Sequence, residues 1–123
     1  MDDALLVACL CAGWCTTCDA YRPVLASVAA QRPGLRFAWI DIEDDADALG
    51  DDALDIATFP TLMVLRAGQP LFHGALLPHA GTLLRLLDTL QAGGSAAGSA
   101  VPPAMAAAVW RLAPLRLLPA AAD

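Results

Sequence analysis

The sequence predicts an α/β fold with a mixed sheet, and three observations carry that prediction. An apolar run, Leu5 to Ala12, precedes a helical pattern and then a second apolar run, Leu35 to Ile42. This order is typical of two parallel strands joined by a right-handed crossover helix. Further along, a turn-rich segment separates two short strand patterns, which indicates an antiparallel hairpin. At the junction of the first strand and the helix, Cys15 and Cys18 form a C-x-x-C motif.

The first strand-helix-strand unit has clear boundaries. Leu5 to Ala12 contains no charged residue, which is typical of a strand buried on both faces in the middle of a sheet. From Thr16 the apolar residues recur with helical spacing until Arg32-Pro33-Gly34 ends the pattern. Pro23 lies inside this helix and is expected to kink it, because proline removes one backbone hydrogen bond.

The next segments predict a short helix, a hairpin and a long helix. The acidic stretch from Glu43 to Asp55 has few apolar residues and favours a short, broken helix. Thr61 to Leu65 and Leu71 to Phe72 flank the turn-rich Arg66 to Pro70, and the second of these strands is expected at a sheet edge. Leucines recur on one helical face from His79 to Leu90.

Composition divides the chain into one domain and a tail. Residues 1–91 carry the strand and helix patterns, residues 92–100 are nearly all Gly, Ala and Ser, and residues 101–123 are an apolar C-terminal tail. The middle segment therefore reads as a flexible linker. Within the tail, Met105 to Leu112 can form a short amphipathic helix.

Charge and hydropathy limit the kinds of partner and the compartment that we expect for this protein. The net charge is −6, with seven arginines and no lysine, which argues against nucleic acid or an anionic membrane surface. Eight of the thirteen acidic residues lie between Asp41 and Asp55, a solvated surface rather than a cation site. No apolar run reaches the length of about 18 residues that a membrane span needs, and the acidic start lacks the basic region of a secretory signal. We therefore expect a cytoplasmic protein.

The C-x-x-C motif predicts redox chemistry. A helix N-terminus stabilises the thiolate of the first cysteine, so Cys15 is the candidate nucleophile and Cys18 the resolving thiol. We expect Cys15 to be partly exposed and Cys18 to be more buried. A zinc site is the alternative, but no cysteine follows Cys18, and His73 and His79 are six residues apart, outside the usual zinc-ligand spacing. Two inert thiols are the remaining interpretation.

Residues 4 to 91 resemble the thioredoxin superfamily. Trp14-Cys15-x-x-Cys18 is similar to the family's active-site turn, and Pro23 matches its kink proline. Phe59-Pro60-Thr61 is similar to the family's cis-proline loop, and Gly74 falls where the family has a glycine beside the substrate groove.

The resemblance implies a three-layer α/β/α fold with a mixed sheet of about four strands, without the family's N-terminal strand and helix. It implies a thiol-disulfide oxidoreductase that acts on protein disulfides through a Cys15/Cys18 dithiol and a mixed disulfide. It implies no cofactor and no metal, with a reductase or a small thiol as electron donor. The groove would comprise Trp14, Phe59, Pro60 and Gly74, with a cis Phe59-Pro60 bond. A binding module or adaptor with weak or no redox activity is the alternative.

Several residues depart from the family pattern. The buried acid that lies six residues before the first cysteine is replaced by Cys9, and its lysine partner by Trp39. We therefore expect slower deprotonation of Cys18. Thr16-Thr17 replaces the family's glycine-proline, and the usual basic residue after the motif is Asp19, whose carboxylate opposes the helix dipole and predicts a weaker nucleophile.

Cys9 and Cys11 stand two apart on one strand, so they point to the same face of the sheet. Two small buried side chains with inert thiols are one interpretation, because cysteine is commonly buried. A second redox pair, or a thiol cluster for a soft metal, is the other.

The tail is expected to cover apolar surface. If the family's first strand and helix are missing, the edge of Leu35 to Ile42 is open, and open edges invite unwanted pairing. The apolar residues between Val101 and Leu118 are therefore expected to dock on the same domain or on a second copy of the chain. A disordered tail that awaits a partner is the alternative.

Overall fold

A computed structural model describes residues 5–11, 16–32, 34–49, 61–75, 79–94, 103–115 and 117. Within them the four strands are β1 (Leu5–Cys11), β2 (Arg36–Asp41), β3 (Thr61–Arg66) and β4 (Gln69–Ala75). The helices are α1 (Thr16–Gln31), α2 (Ala46–Leu49), α3 (Ala80–Gln91) and α4 (Pro103–Leu112). A 3-10 turn at Ala113–Leu115 follows α4.

The four strands form one mixed sheet in the order β2-β1-β3-β4. β1 pairs in parallel with β2 and antiparallel with β3, and β3 pairs antiparallel with β4. All seven residues of β1 are buried, because the strand is central and both of its faces are covered. The predicted mixed sheet of about four strands, with parallel pairing through α1 and β4 at an edge, is confirmed.

Two hydrophobic clusters lie on opposite faces of the sheet. One cluster, here the thiol face, joins Cys9, Cys11 and their alternate neighbours on β1 to the buried residues of α1 and α3. The other, here the tail face, joins Leu6, Ala8 and Leu10 to Leu49 of α2 and to α4. Side chains alternate along a strand, so β1 supplies both clusters. The architecture is therefore the expected three layers, α/β/α.

The hairpin is tighter than the sequence indicated. Its turn is only Ala67-Gly68, with φ of 51° and 82°, whereas Arg66, Gln69 and Pro70 belong to the strands. Two positive φ values define the two-residue turn that matches the twist of antiparallel strands, and Gly68 adopts one of them without a side-chain clash. Pro70 is tolerated inside β4 because the strand lies at the edge of the sheet.

The tail returns to its own domain. α4 buries the side chains of Met105, Val109 and Leu112 against the tail face. Beyond the 3-10 turn, Leu117 forms an isolated antiparallel bridge with Ala38 of β2, the outer strand. The docking expected from the sequence is therefore present, and it partly covers the edge of β2.

The remaining sequence predictions concern α2, Pro23 and the division of the chain. α2 is the short helix predicted within the acidic stretch, and the rest of that stretch beyond Leu49 lies outside the described residues. Pro23 lies inside α1, as expected. The division into residues 1–91, 92–100 and 101–123 stays a prediction. No helix among the described residues is long and apolar enough to cross a bilayer.

Candidate active site

Cys18 lies in the first turn of α1, the helix that follows β1 along the chain. It is the third residue of the helix and is 1% exposed, whereas its neighbours Thr16, Thr17 and Asp19 are exposed. The unpaired N–H groups of a helix N-terminus favour a negative charge there. The expected burial of Cys18 is therefore present, in the first turn of the helix.

Of the other predicted site residues, the structure describes only Gly74. Trp14, Cys15, Phe59 and Pro60 lie outside the described residues, and the cis Phe59-Pro60 bond stays a prediction. Gly74 is half-buried in β4, where it pairs with Leu62 of β3.

Cys9 and Cys11 lie side by side below α1. Their Sγ atoms are 3.3 Å apart, and the two side chains are 0% and 1% exposed. Either sulfur can donate the S–H that joins them. The distance is far longer than the roughly 2.05 Å of a disulfide bond, so no disulfide joins the two cysteines. The expectation that both point to one face is confirmed.

Tyr21 brings a hydroxyl to the same cluster. Its side chain is 0% exposed, and no described residue provides a hydrogen-bond partner for its hydroxyl group. Burial raises the pKa of the Tyr21 phenol well above its ordinary value, and the nearby Cys9 and Cys11 add to the rise. The sequence interpretation treated Tyr21 only as part of an apolar stripe. Its spacing of three from Cys18 was the available signal, because residues three apart share one helix face.

Trp39 stands where the resemblance placed a lysine. It pairs with Cys9 across β1 and β2 and packs against the thiol face. The guanidinium carbon of Arg22 lies 4.1 Å from the centre of the Trp39 ring, a cation–π contact from the exposed side of α1. A positive charge is therefore held above the ring, outside the cluster.

Metal binding gains no support from this cluster. Among the described residues, no group of three or more His, Cys, Asp or Glu side chains comes together as a metal site. The thiol face instead brings together three sulfurs and one phenol within an apolar surround. Such a set can exchange protons.

Fold and site together define a small α/β protein with a C-x-x-C motif at a strand-helix junction. The thioredoxin family model matches residues 1–81. The chain belongs to the thioredoxin family. This membership supports thiol-disulfide oxidoreduction as the general class of activity.

Solved structures agree on the fold. A poplar thioredoxin h is 23% identical, with a TM-score of 0.62, over 73% of this chain and 78% of that one. A thioredoxin from Trypanosoma brucei brucei is 25% identical, with a TM-score of 0.59, over 73% of this chain and 78% of that one.

Two curated relatives are considerably longer. Sulfhydryl oxidase 1 of Rattus norvegicus and that of Mus musculus are each 33% identical over 75% of this chain. The match spans 14% of the length of each relative. The similarity therefore concerns only a small part of each relative.

Proposed function

We propose that the chain is a thiol-disulfide oxidoreductase that acts on protein disulfides through Cys15 and Cys18. The observation that carries the proposal is the placement of Cys18, buried in the first turn of α1 within a thioredoxin-family domain. A C-x-x-C pair at a helix N-terminus is the arrangement in which the first thiol is activated and the second lies one turn behind it.

The reaction has two balanced steps. The Cys15 thiolate attacks one sulfur of a substrate disulfide, forms a mixed disulfide and releases the other substrate sulfur as a thiolate. The Cys18 thiol then loses its proton and attacks the Cys15 sulfur, which closes the Cys15–Cys18 disulfide and releases the second substrate thiolate. The substrate gains two electrons and the protein loses two.

The direction of electron flow is part of the proposal. We propose net reduction of substrates, with electrons returned by a reductase or a small thiol in the cytoplasm. The relatives named as sulfhydryl oxidases raise the opposite direction, in which the Cys15–Cys18 disulfide oxidises substrate thiols. Reductants of this fold have potentials near roughly −270 mV and oxidants near about −120 mV, so a glutathione titration separates the two.

The test is insulin reduction with matched variants. The wild-type chain should reduce insulin, and Cys15→Ser should abolish the reaction. Cys18→Ser should accumulate a covalent mixed disulfide, visible as a mass increase that a reducing agent removes. Wild-type rates in the Cys15→Ser protein would remove Cys15 from its role. An inactive wild-type chain that still binds partners would favour the binding module.

A further inference from the structure

The thiol face contains a polar cluster that the two exchange steps leave unexplained. Cys9 Sγ and Cys11 Sγ are 3.3 Å apart. Two carbon atoms at optimal separation are about 3.5–4.0 Å apart, and sulfur is larger than carbon. Such a close approach therefore indicates that a hydrogen lies between the two sulfurs. The pair is best described as two thiols that share a hydrogen bond, or as one thiol and one thiolate.

Strand geometry opposes a disulfide between Cys9 and Cys11. Alternate residues of a strand lie roughly 6.6 Å apart, whereas the Cβ atoms of a disulfide are only about 3.8 Å apart. Cys9 is held in register with Trp39 on β2 and Leu62 on β3. Closing the bond would bend a strand that is paired on both sides, so the two sulfurs are suited to proton exchange rather than to a second redox step.

Tyr21 supplies a donor that has no other evident purpose. Its hydroxyl is buried and finds no hydrogen-bond partner among the described residues. A buried hydroxyl without a partner is costly, by about 1–3 kcal/mol. A phenol O–H donates more strongly to a thiolate than to a thiol, because the acceptor is then charged. The hydroxyl is therefore used best when the neighbouring sulfur pair carries a negative charge.

We propose that Cys9, Cys11 and Tyr21 form a buried proton-accepting site for Cys18. The inference rests on the exchange reaction proposed above, in which Cys18 must lose its proton before it attacks. Cys18 belongs to the same buried cluster, one helical turn before Tyr21. Its proton passes to the thiolate of the Cys9–Cys11 pair, which becomes two thiols. The Cys18 thiolate then attacks Cys15, and the pair later returns its proton to solvent. Cys9 and Cys11 thus act as the general base, and Tyr21 is a positioning residue that acts through them.

The surroundings leave few rival acceptors. The buried polar or charged side chains of the described residues are Asp45 and Thr61, and Thr61 shares the tail face with Met63. From β2, Asp41 lies on the thiol side by strand alternation, half-buried, and its carboxylate accepts the N–H groups of Glu43 and Asp44.

The remaining charged groups nearby lie on the two covering helices and at the end of β3. On α1, Asp19 and Arg22 are exposed, and on α3, Arg85 and Asp88 are exposed. β3 and β4 contribute the apolar side chains of Leu62, Val64 and Phe72, and Arg66 at the end of β3 donates to the carbonyl of Leu90 on α3. Asp41 is therefore the rival that a test must include.

The experiment measures the resolving step alone. Reduced protein is mixed with dithiobis(nitrobenzoate) in a stopped-flow instrument, from mildly acidic to alkaline pH. The first release of nitrothiophenolate reports attack by Cys15, and the second reports resolution by Cys18. In the wild type we expect the second rate to rise with pH, because the accepting thiolate must form first.

Tyr21→Phe and Cys9→Ala should each slow the second release about tenfold near neutral pH, which corresponds to a midpoint about one pH unit higher. The first release should be unchanged. Cys9→Asp, which supplies a carboxyl group more acidic than a thiol in the same surroundings, should make the second rate exceed that of the wild type at neutral pH. Leu25→Val, a change on the same buried face of α1 without a polar group, should lower Tm but leave the midpoint unchanged.

Four outcomes would overturn the inference. Unchanged midpoints in Tyr21→Phe and Cys9→Ala would overturn it while the exchange reaction stands, and so would a midpoint that moves in Asp41→Asn instead. A fully oxidised chain that retains no titratable thiol after denaturation would show that Cys9 and Cys11 form a disulfide. A wild-type chain without any second release would overturn the exchange reaction, and this inference with it.

Discussion

The two faces of the sheet are built from the same strands but differ in chemistry. β1 sends Cys9 and Cys11 to the thiol face, where Cys18 and Tyr21 join them. It sends Leu6, Ala8 and Leu10 to the tail face, where the hydrophobic cluster consists of aliphatic and methionine side chains. A buried hydroxyl without a hydrogen bond costs free energy, so the Tyr21 hydroxyl in the cluster that contains the thiols favours the function proposed for this face. The tail face stabilises the fold.

The two faces also differ in what covers them. α1 and α3 belong to the strand-helix pattern of residues 1–91, whereas the tail face depends on α4, which the chain reaches only after a Gly-, Ala- and Ser-rich segment. The thiol face is thus covered by helices that lie near its strands in the sequence, and the tail face by a helix that lies far along the chain. Removing the tail should leave the proposed exchange reaction intact only if the sheet still folds without α4.

The largest expected effect is therefore loss of the tail. Deleting residues 101–123 exposes the surface that Met105, Val109 and Leu112 cover. Each large apolar side chain contributes about 1.5–3 kcal/mol, so the loss is on the order of 5 kcal/mol, comparable with the whole stability of a small domain. Thermal melting and mass in solution measure it. We expect a fall in Tm or self-association, and unchanged melting with unchanged mass would contradict the docking.

Two matched substitutions compare the faces directly. Met105→Ala on α4 and Leu87→Ala on α3 each remove a fully or almost fully buried side chain, and each should cost about 2–5 kcal/mol in chemical denaturation. Only Leu87→Ala creates a cavity in the cluster that contains the thiols. It alone should speed the reaction of native Cys9 and Cys11 with a small alkylating reagent. Equal acceleration by Met105→Ala would show that the two faces are not independent.

The sequence predicted the parts of the fold that local pattern determines. Leu5 to Ala12, Leu35 to Ile42 and the leucine repeat from His79 were read within one or two residues of their observed limits. The turn at Ala67-Gly68 was drawn too wide, because Pro70 looks like a turn residue unless its strand is known to lie at an edge. The boundary between the turn and β4 is set by the pairing of β4 with β3 and not by the local preference of Pro70 for turns.

The candidate site was predictable in part for a similar reason. Helix periodicity alone predicts that the two cysteines of the C-x-x-C motif lie one turn apart. Strand alternation alone predicts that Cys9 and Cys11 point to the same face. The 3.3 Å contact between their sulfurs and the isolated hydroxyl of Tyr21 depend on how α1 packs across β1. No periodicity specifies that distance, so the cluster became visible only in three dimensions.

Alkaline pH should cause an intermediate loss of folding stability, because Tyr21 of the thiol face is buried. Burial raises the pKa of Tyr21, so above about pH 10 the unfolded chain loses the phenol proton while the folded chain retains it. Stability should therefore fall by up to about 1.4 kcal/mol for each pH unit above that point. Tyr21→Phe should remove this part of the loss. Because Tyr21 is the only tyrosine, phenolate absorbance follows it alone. A phenol that ionises at its ordinary pH in the folded chain would contradict its burial.

The smallest expected effect concerns the salt bridge that joins the helices over the thiol face. Arg32, next to the end of α1, contacts both carboxylate oxygens of Asp88 on α3, with its closest N–O distance at 3.1 Å. The two side chains are 31% and 57% exposed, so solvent screens the pair. A double-mutant cycle with Arg32→Ala and Asp88→Ala should give a coupling energy of about 0.2–1 kcal/mol. The coupling should shrink in high salt, since exposed charges are screened. A coupling that persists in high salt would mean that the two helices are held together here by packing of the Arg32 stem and not by charge.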